Sequence, residues 1–204
     1  FIKGSEKKIN KIVFVGGANT RLISEGYGTL EKFEDEIIFE LPKATIVKPT
    51  MIFGLKDDNN IEKIIKLLKK FPIFPIIGNG KTLYQPIHYL DVRNVILRIF
   101  ETNNLEGEKI IIGGNESLEY QELIKIIKQK INSKTIVIKL PQYLVYVLAK
   151  IIIKIFRIKL PIEQIKKTHI NRNVDNSKAI RLLKYYPKSF KIRLEESLKE
   201  YYDI

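Results

Sequence analysis

The feature that most limits what this chain can fold into is a regular alternation of two hydrophobic periods. Short β-branched or aromatic runs at 12–15, 44–48, 109–112 and 135–140 are separated by longer segments with apolar residues at helical spacing. Residues 29–40 carry Leu30, Phe33, Ile37 and Ile38 in that pattern, and Asn60 opens another with Ile61, Ile64, Ile65, Leu67 and Leu68. Glycine and proline punctuate the changes: Gly16-Gly17 ends the first run, Pro42 the first helix, Pro49 the second run, and Gly113-Gly114 the third. Strands separated by helices run parallel, because each crossover carries the chain back to the starting end of the sheet. The expected fold class is therefore α/β.

The same signals place the remaining elements. Residues 12–15 read as a buried strand, and Pro72, Pro75, Gly78 and Gly80 mark an irregular stretch. A brief strand around Ile87 leads to Asp91, the expected cap of a helix over 92–100. Ser117 is the expected cap of a helix over 120–131, and Pro141 opens a long apolar helix near 141–159. Asn176 or Ser177 caps a helix through Lys184, and a last helix runs from about 192 to 202.

Composition then removes function classes. The chain has 204 residues, 45% hydrophobic and 29% charged, which suits one domain or two small lobes of a soluble protein. It has no cysteine and two histidines, so disulfides and thiolate metal sites are excluded and no metal is expected. A net charge of +13 attracts anions, but the lysines are scattered, and no nucleic-acid-binding module is present. The opening Phe-Ile-Lys-Gly-Ser-Glu-Lys-Lys lacks the apolar core of a signal peptide. Phe1 reads as an internal residue of a longer, cytoplasmic protein, at most peripheral to a membrane.

Four ordered segments resemble one family. Ala44-Thr-Ile-Val-Lys-Pro-Thr-Met-Ile-Phe-Gly54 resembles the strand of extended short-chain dehydrogenases that ends in Arg-Pro and an aromatic-Gly pair. Gly78-Asn-Gly80 followed by Gln85-Pro-Ile-His-Tyr-Leu-Asp91 resembles the family's Gly-x-Gly turn and Tyr-Ile-His-Val-x-Asp segment. Lys109-Ile-Ile-Ile-Gly-Gly-Asn-Glu-Ser117 resembles a strand and turn of its substrate lobe. Asp175-Asn-Ser-Lys-Ala179, with Tyr186-Pro187 and Phe190 beyond, resembles its C-terminal signature. The chain is similar to the C-terminal part of the NAD-dependent epimerase/dehydratase family, and Asp57-Asp58-Asn59-Asn60 resembles the atypical branch.

The resemblance implies the C-terminal half of a Rossmann-type parallel sheet, with interleaved substrate-lobe segments, over 1–110. It implies a small substrate-binding lobe over 111–204. No Gly-x-x-Gly-x-x-Gly turn follows an N-terminal strand, so the chain alone is expected to bind NAD or NADP weakly or not at all. The family's chemistry uses Ser or Thr, then Tyr-x-x-x-Lys, the lysine lowering the tyrosine's pKa and holding the nicotinamide ribose. Here the serine position falls at Gly16 or Gly17, with Asn19 and Thr20 nearby. Tyr27 and Lys32 stand five apart, which turns them to different helix faces, and Glu36 follows Lys32 by four as a glutamate follows the family lysine. Two alternatives stay open: Gly28 stands where the tyrosine belongs, or Tyr27 lies before the helix and still reaches the site.

The resemblance thus gives Tyr27 and Lys32 as catalytic residues. It gives Lys32, Pro49, Thr50 and Met51 as cofactor neighbours. Gln85 and His88 are the substrate-binding candidates; on chemistry alone His88 reads as an interior hydrogen-bonding group. A nucleotide sugar is the implied substrate, epimerised, oxidised or dehydrated by hydride transfer, and a homodimer through helix 29–40 is implied. The alternatives are a non-catalytic NAD(P)-binding subunit or membrane-surface scaffold, and an inactive gene fragment. Residues 140–160 bear on that choice: they are strongly apolar, yet Lys150, Lys154 and Arg157 share one helix face. That pattern fits a helix lying in the plane of an anionic membrane, or one packed on the substrate lobe or in a dimer.

Overall fold

The computed structural model describes residues 9–18, 28–156 and 168–202. In chain order the strands are β1 (Ile12–Val15), β2 (Ala44–Pro49), β3 (Ile52–Phe53), β4 (Ile73–Ile77), β5 (Leu83–Tyr84), β6 (Ile87–His88), β7 (Lys109–Ile112), β8 (Leu118–Glu119) and β9 (Ile136–Leu140). The helices are α1 (Gly28–Glu40), α2 (Ile61–Lys70), α3 (Tyr89–Glu101), α4 (Tyr120–Lys130), α5 (Gln142–Phe156), α6 (Ser177–Leu183) and α7 (Phe190–Tyr202). The chain divides into two compact units, each assembled from separated segments. The first takes residues 1–53, 85–116 and 173–193, and the second 54–84, 117–172 and 194–204.

The first unit is built on a parallel sheet in the order β1-β2-β7, with Ile12 beside Ala44 and Ile46 beside Lys109. β2 is buried along its whole length, as a central strand covered on both faces should be. Its core side chain Val47 packs with Ile110 and Ile112 of β7, with Val92, Val95 and Ile99 of α3, and with Ala179 and Leu183 of α6. Each such burial contributes about 1.5–3 kcal/mol. β1 departs from expectation: it is an outer strand, half-buried over Ile12–Phe14, with Val15 51% exposed. Among the described residues it has a neighbour on one side only, so the β-branched run that reads as buried is covered in part.

α3 begins earlier than the sequence suggests. His88 is its N-cap, and the ring Nδ1 accepts from the Leu90 N–H at 3.2 Å. Asp91, the expected cap, instead sits inside the first turn, where Arg193 donates to both carboxylate oxygens. A carboxylate there is favoured by the positive end of the helix as well as by its partner. At α6, Asn176 holds the cap position but its side chain is used elsewhere, and Asp175 accepts from the Ser177 N–H at 2.9 Å.

The second unit contains the parallel pair β4-β9, the antiparallel pair β5-β8, and helices α2, α4 and α5. β4 lies inside the stretch that reads as irregular. Its bonds explain how prolines fit: Ile136 N–H donates to Pro72 O and Gly78 N–H donates to Leu140 O, so even-numbered backbone groups face β9. Pro75 therefore points to the side where no strand of the described residues pairs with β4, and it costs the ladder nothing. α4 begins at Tyr120 as expected, but Glu119 rather than Ser117 holds the cap position, because Leu118 and Glu119 pair with β5 first.

Candidate functional site

In open parallel sheets ligands sit beyond the carboxyl ends of the strands. In the first unit those ends bring together Gly16-Gly17, Pro49-Thr50-Met51 and Gly113-Gly114. Gly16 N–H donates to Val47 O at 2.8 Å, Ala18 N–H to Pro49 O at 2.9 Å, and Thr50 N–H to Ile112 O at 2.9 Å. The pairing thus continues past the strands and fixes three turns side by side.

A buried ion pair lies against this edge. Glu34 of α1 is 3% exposed, and Lys48 of β2 donates to its Oε2 at 2.7 Å. The Lys109 ammonium is 3.8 Å from the same oxygen. Oε1 is buried with no hydrogen-bond partner among the described residues. A side chain at Gly16 would bring its Cβ to 3.1 Å from that oxygen, whereas a Cβ at Gly17 would meet nothing within 4 Å among the described residues. The end of β1 therefore lies close against a carboxylate, which would have to shift by a few tenths of an ångström to admit a side chain at Gly16.

The residues singled out by the sequence fall into different settings. Tyr27 lies outside the described residues. Lys32 is exposed on α1, about 200° around the helix from buried Glu34. Pro49 is buried at the end of β2, Thr50 donates its hydroxyl to Gln85 O, and the half-buried Met51 accepts from Ile87 N–H at 3.0 Å. Gln85 is 5% exposed, and both ends of its amide are used: Nε2 donates to Gly114 O and Oε1 accepts from Val174 N–H, each at 2.8 Å. His88 is 2% exposed, and Phe53 meets its ring edge-on at 5.2 Å. Thr50 and Gln85 are thus in contact, and Lys32 is not brought to them.

Gly113-Gly114 is the closed side of this edge. A Cβ on Gly114 would fall 2.0 Å from Pro86 O, so only glycine lets the two chains approach. Asn176 reinforces the turn by accepting from Gly113 N–H at 2.7 Å and donating to Gly114 O at 3.1 Å. Tyr185 donates to Gly113 O at 2.7 Å, and burial, then the nearby Asp91 charge, raises its pKa well above the ordinary phenol value.

The second unit holds a cavity of about 130 Å³ lined by Pro75, Ile77, Gly80, Thr82, Tyr84, Tyr120 and Thr168. The Tyr84 and Tyr120 rings pack at 5.0 Å, and the Arg172 guanidinium lies 4.9 Å over Tyr84. Arg172 N–H donates to Leu83 O at 2.7 Å, holding the residue in place, while its buried side-chain Nε has no hydrogen-bond partner among the described residues. Burial, and then the Tyr84 phenol, push Tyr120 up to about 12; burial also raises Tyr84, against the opposing Arg172 charge. Two neutral phenols around a ring-sized space suit a planar ligand that stacks on aromatic rings. Sequence reading missed this group because its members come from three separated segments. Tyr84 stands beside the flagged Gln85, but nothing local marks Tyr120 or Arg172. No group of His, Asp or Glu able to hold a metal occurs among the described residues.

No family model matches the chain. It is 34% identical over 97 residues to the mitochondrial NADH dehydrogenase (ubiquinone) 1 alpha subcomplex subunit 9 of Dictyostelium discoideum, covering 48% of this chain and 26% of that protein. The Arabidopsis thaliana protein of the same name is 28% identical over 109 residues, covering 53% of this chain and 27% of the relative. The chain therefore matches about a quarter of each curated relative's length. Among solved structures, the UDP-glucuronic acid 4-epimerase of Bacillus cereus, in complex with UDP-glucuronic acid and NAD, superposes with a TM-score of 0.68 at 18% identity. That match covers 99% of this chain and 64% of the epimerase. The dTDP-glucose 4,6-dehydratase DesIV of Streptomyces venezuelae, with NAD bound, gives 0.69 at 16% identity, covering 99% and 63%.

Proposed function

We propose that this chain, whose fold is that of the NAD-dependent epimerases and dehydratases of the extended short-chain dehydrogenase type, is part of a protein that holds NAD(P) without transferring hydride. The observation that carries this reading is Glu34. Beside Gly16, at the strand end where family resemblance expects a catalytic hydroxyl, stands a buried carboxylate paired with Lys48. A carboxylate anchored in an ion pair does not supply the hydroxyl proton shuttle of that chemistry. Lys32, the lysine expected to hold the ribose, is exposed on a different face of α1.

The space beside Gly17, where no described atom lies within 4 Å of an added Cβ, and the bend at Thr50-Met51 that ends β2 fit the nicotinamide end of a dinucleotide, bordered by Gly17, Pro49 and Thr50. A nicotinamide held there would be capable of hydride exchange, but in this reading the residues supply a position for it and not the proton shuttle. The similarity to a subunit of NADH dehydrogenase supports a role within a larger assembly.

A second reading, favoured by the Tyr84–Tyr120–Arg172 cavity, is an epimerase or dehydratase acting on a nucleotide sugar. In it Tyr27 would move the proton, Lys32 would hold the ribose, and Gln85 and His88 would help place the substrate.

One experiment separates the two. The chain is expressed with all the coding sequence in its reading frame and titrated with NADH and NADPH. It is then incubated with oxidised cofactor and nucleotide sugars deuterated at the reacting carbons. Saturable cofactor binding with no deuterium reaching the cofactor is the expected result. Deuterium transfer from any sugar overturns the non-catalytic reading and supports the second, and absence of cofactor binding overturns both.

A further inference from the structure

Most helices in this chain obey the ordinary rule. α2 turns Ile61, Ile64, Ile65 and Leu68 inward and leaves Lys63, Lys66, Lys69 and Lys70 exposed. α5 inverts it. At about 100° per residue, Tyr143, Leu144, Val147 and Leu148 fall within one arc of about 140°, and Ala149 lies opposite. Ala149 is the buried residue, at 6% exposure, while Tyr143 is 79%, Leu144 45% and Leu148 46% exposed. The apolar arc therefore faces outward.

Charge identifies what would cover it. Residues 123–162 contain Lys125, Lys128, Lys130, Lys134, Lys139, Lys150, Lys154, Arg157 and Lys159 and no aspartate or glutamate, although the whole chain has 23 acidic residues. Lys139 and Lys150 are exposed on either side of the arc in sequence. The Lys150 ammonium rests 4.6 Å over the Tyr146 ring, the pairing of aromatic body and cationic tip that suits a headgroup boundary. No helix of the described residues is long and apolar enough to cross a membrane. An exposed apolar arc over 143–148, with Lys150 at its margin and Lys154 on the same face two turns on from Val147, and no acidic residue over 123–162, together describe a helix that lies in a bilayer surface rather than through it.

We infer that α5 docks the protein on an anionic lipid bilayer, with Tyr143, Leu144 and Leu148 in the acyl boundary and Lys139 and Lys150 on lipid phosphates. The inference is independent of whether the protein binds or uses a cofactor.

The test is co-sedimentation of the whole chain with phosphatidylcholine vesicles, with and without phosphatidylglycerol, at low and high salt. Binding is expected only with phosphatidylglycerol, falling as salt rises. Lys139→Glu and Lys150→Glu should each weaken it about fivefold or more. Leu144→Ser with Leu148→Ser should weaken it at least about tenfold. Both leucines are exposed, so the double variant should keep its circular dichroism spectrum, and the single lysine reversals provide an independent check if it does not. Absence of sedimentation with phosphatidylglycerol at low salt overturns the inference. So does binding that both sets of substitutions leave unchanged. A dimer that the leucine double variant dissolves, with no vesicle binding, would assign the arc to a second copy and also overturn it.

Discussion

Tyr120 gives the cavity of the second unit a pH signature. Burial first, and the Tyr84 phenol second, move its pKa from 10.0 to about 12. The unfolded chain would ionise this phenol near 10, so the fold favours the protonated form. The resulting stabilisation is whole below pH 10 and is lost as the pH rises from 10 through 12. Urea unfolding across that range should therefore show an alkaline decline that Tyr120→Phe reduces. An unchanged decline in the variant would contradict the buried position. None of this was legible locally, since Tyr120 opens a helix that reads as an ordinary amphipathic one. The same holds for Glu34. Its spacing from Leu30 and Ile38 puts it on a helix face that sequence alone assigns no purpose, and its partner Lys48 lies on the next strand. The sequence marked Lys32 instead, because the rule available was a spacing rule, and the side chain that turns inward is decided by what α1 meets.

Elements were more legible than sites, for a physical reason. Period is a local property, so β7 and α1 are found where alternating and helical spacing put them, and β2 extends one residue past expectation to Pro49. β4 was missed because proline normally argues against a strand, and the exemption depends on which way a backbone group points. That exemption makes a prediction. Pro75→Ile should change stability by no more than about 0.5 kcal/mol, since its backbone faces no partner strand. Ile76→Pro should cost about 3 kcal/mol or more, because Ile76 turns its N–H toward β9, so a ladder bond is lost, and its side chain, 1% exposed, is lost from the core as well. Thermal unfolding of the two variants reads the difference directly. Equal losses would show that both sides of β4 are bonded.

At the scale of the whole molecule, the order of segments matters more than their count. The first unit closes only when residues 173–193 return to a sheet begun far earlier in the chain. Val174 fills the Gln85 amide, Asn176 and Tyr185 bond the Gly113-Gly114 turn, and Ala179 and Leu183 pack into the core around β7. Arg193 neutralises Asp91, whose side chain is 7% exposed. A protein cut after Arg172 would remove Asp91's partner and, with Ala179, Leu183 and Tyr185, one side of the core, exposing the apolar side chains of β7 and α3 to water. Most of a small unit's stability, about 5–15 kcal/mol, would be lost. Truncation at 172 should thus abolish slow hydrogen exchange at the amides of β2 and β7. Addition in trans of a peptide spanning 173–193 should restore part of it. Protection that survives truncation would mean the sheet is held by its first two segments alone, and the returning segment would then be a cover rather than a part of the fold.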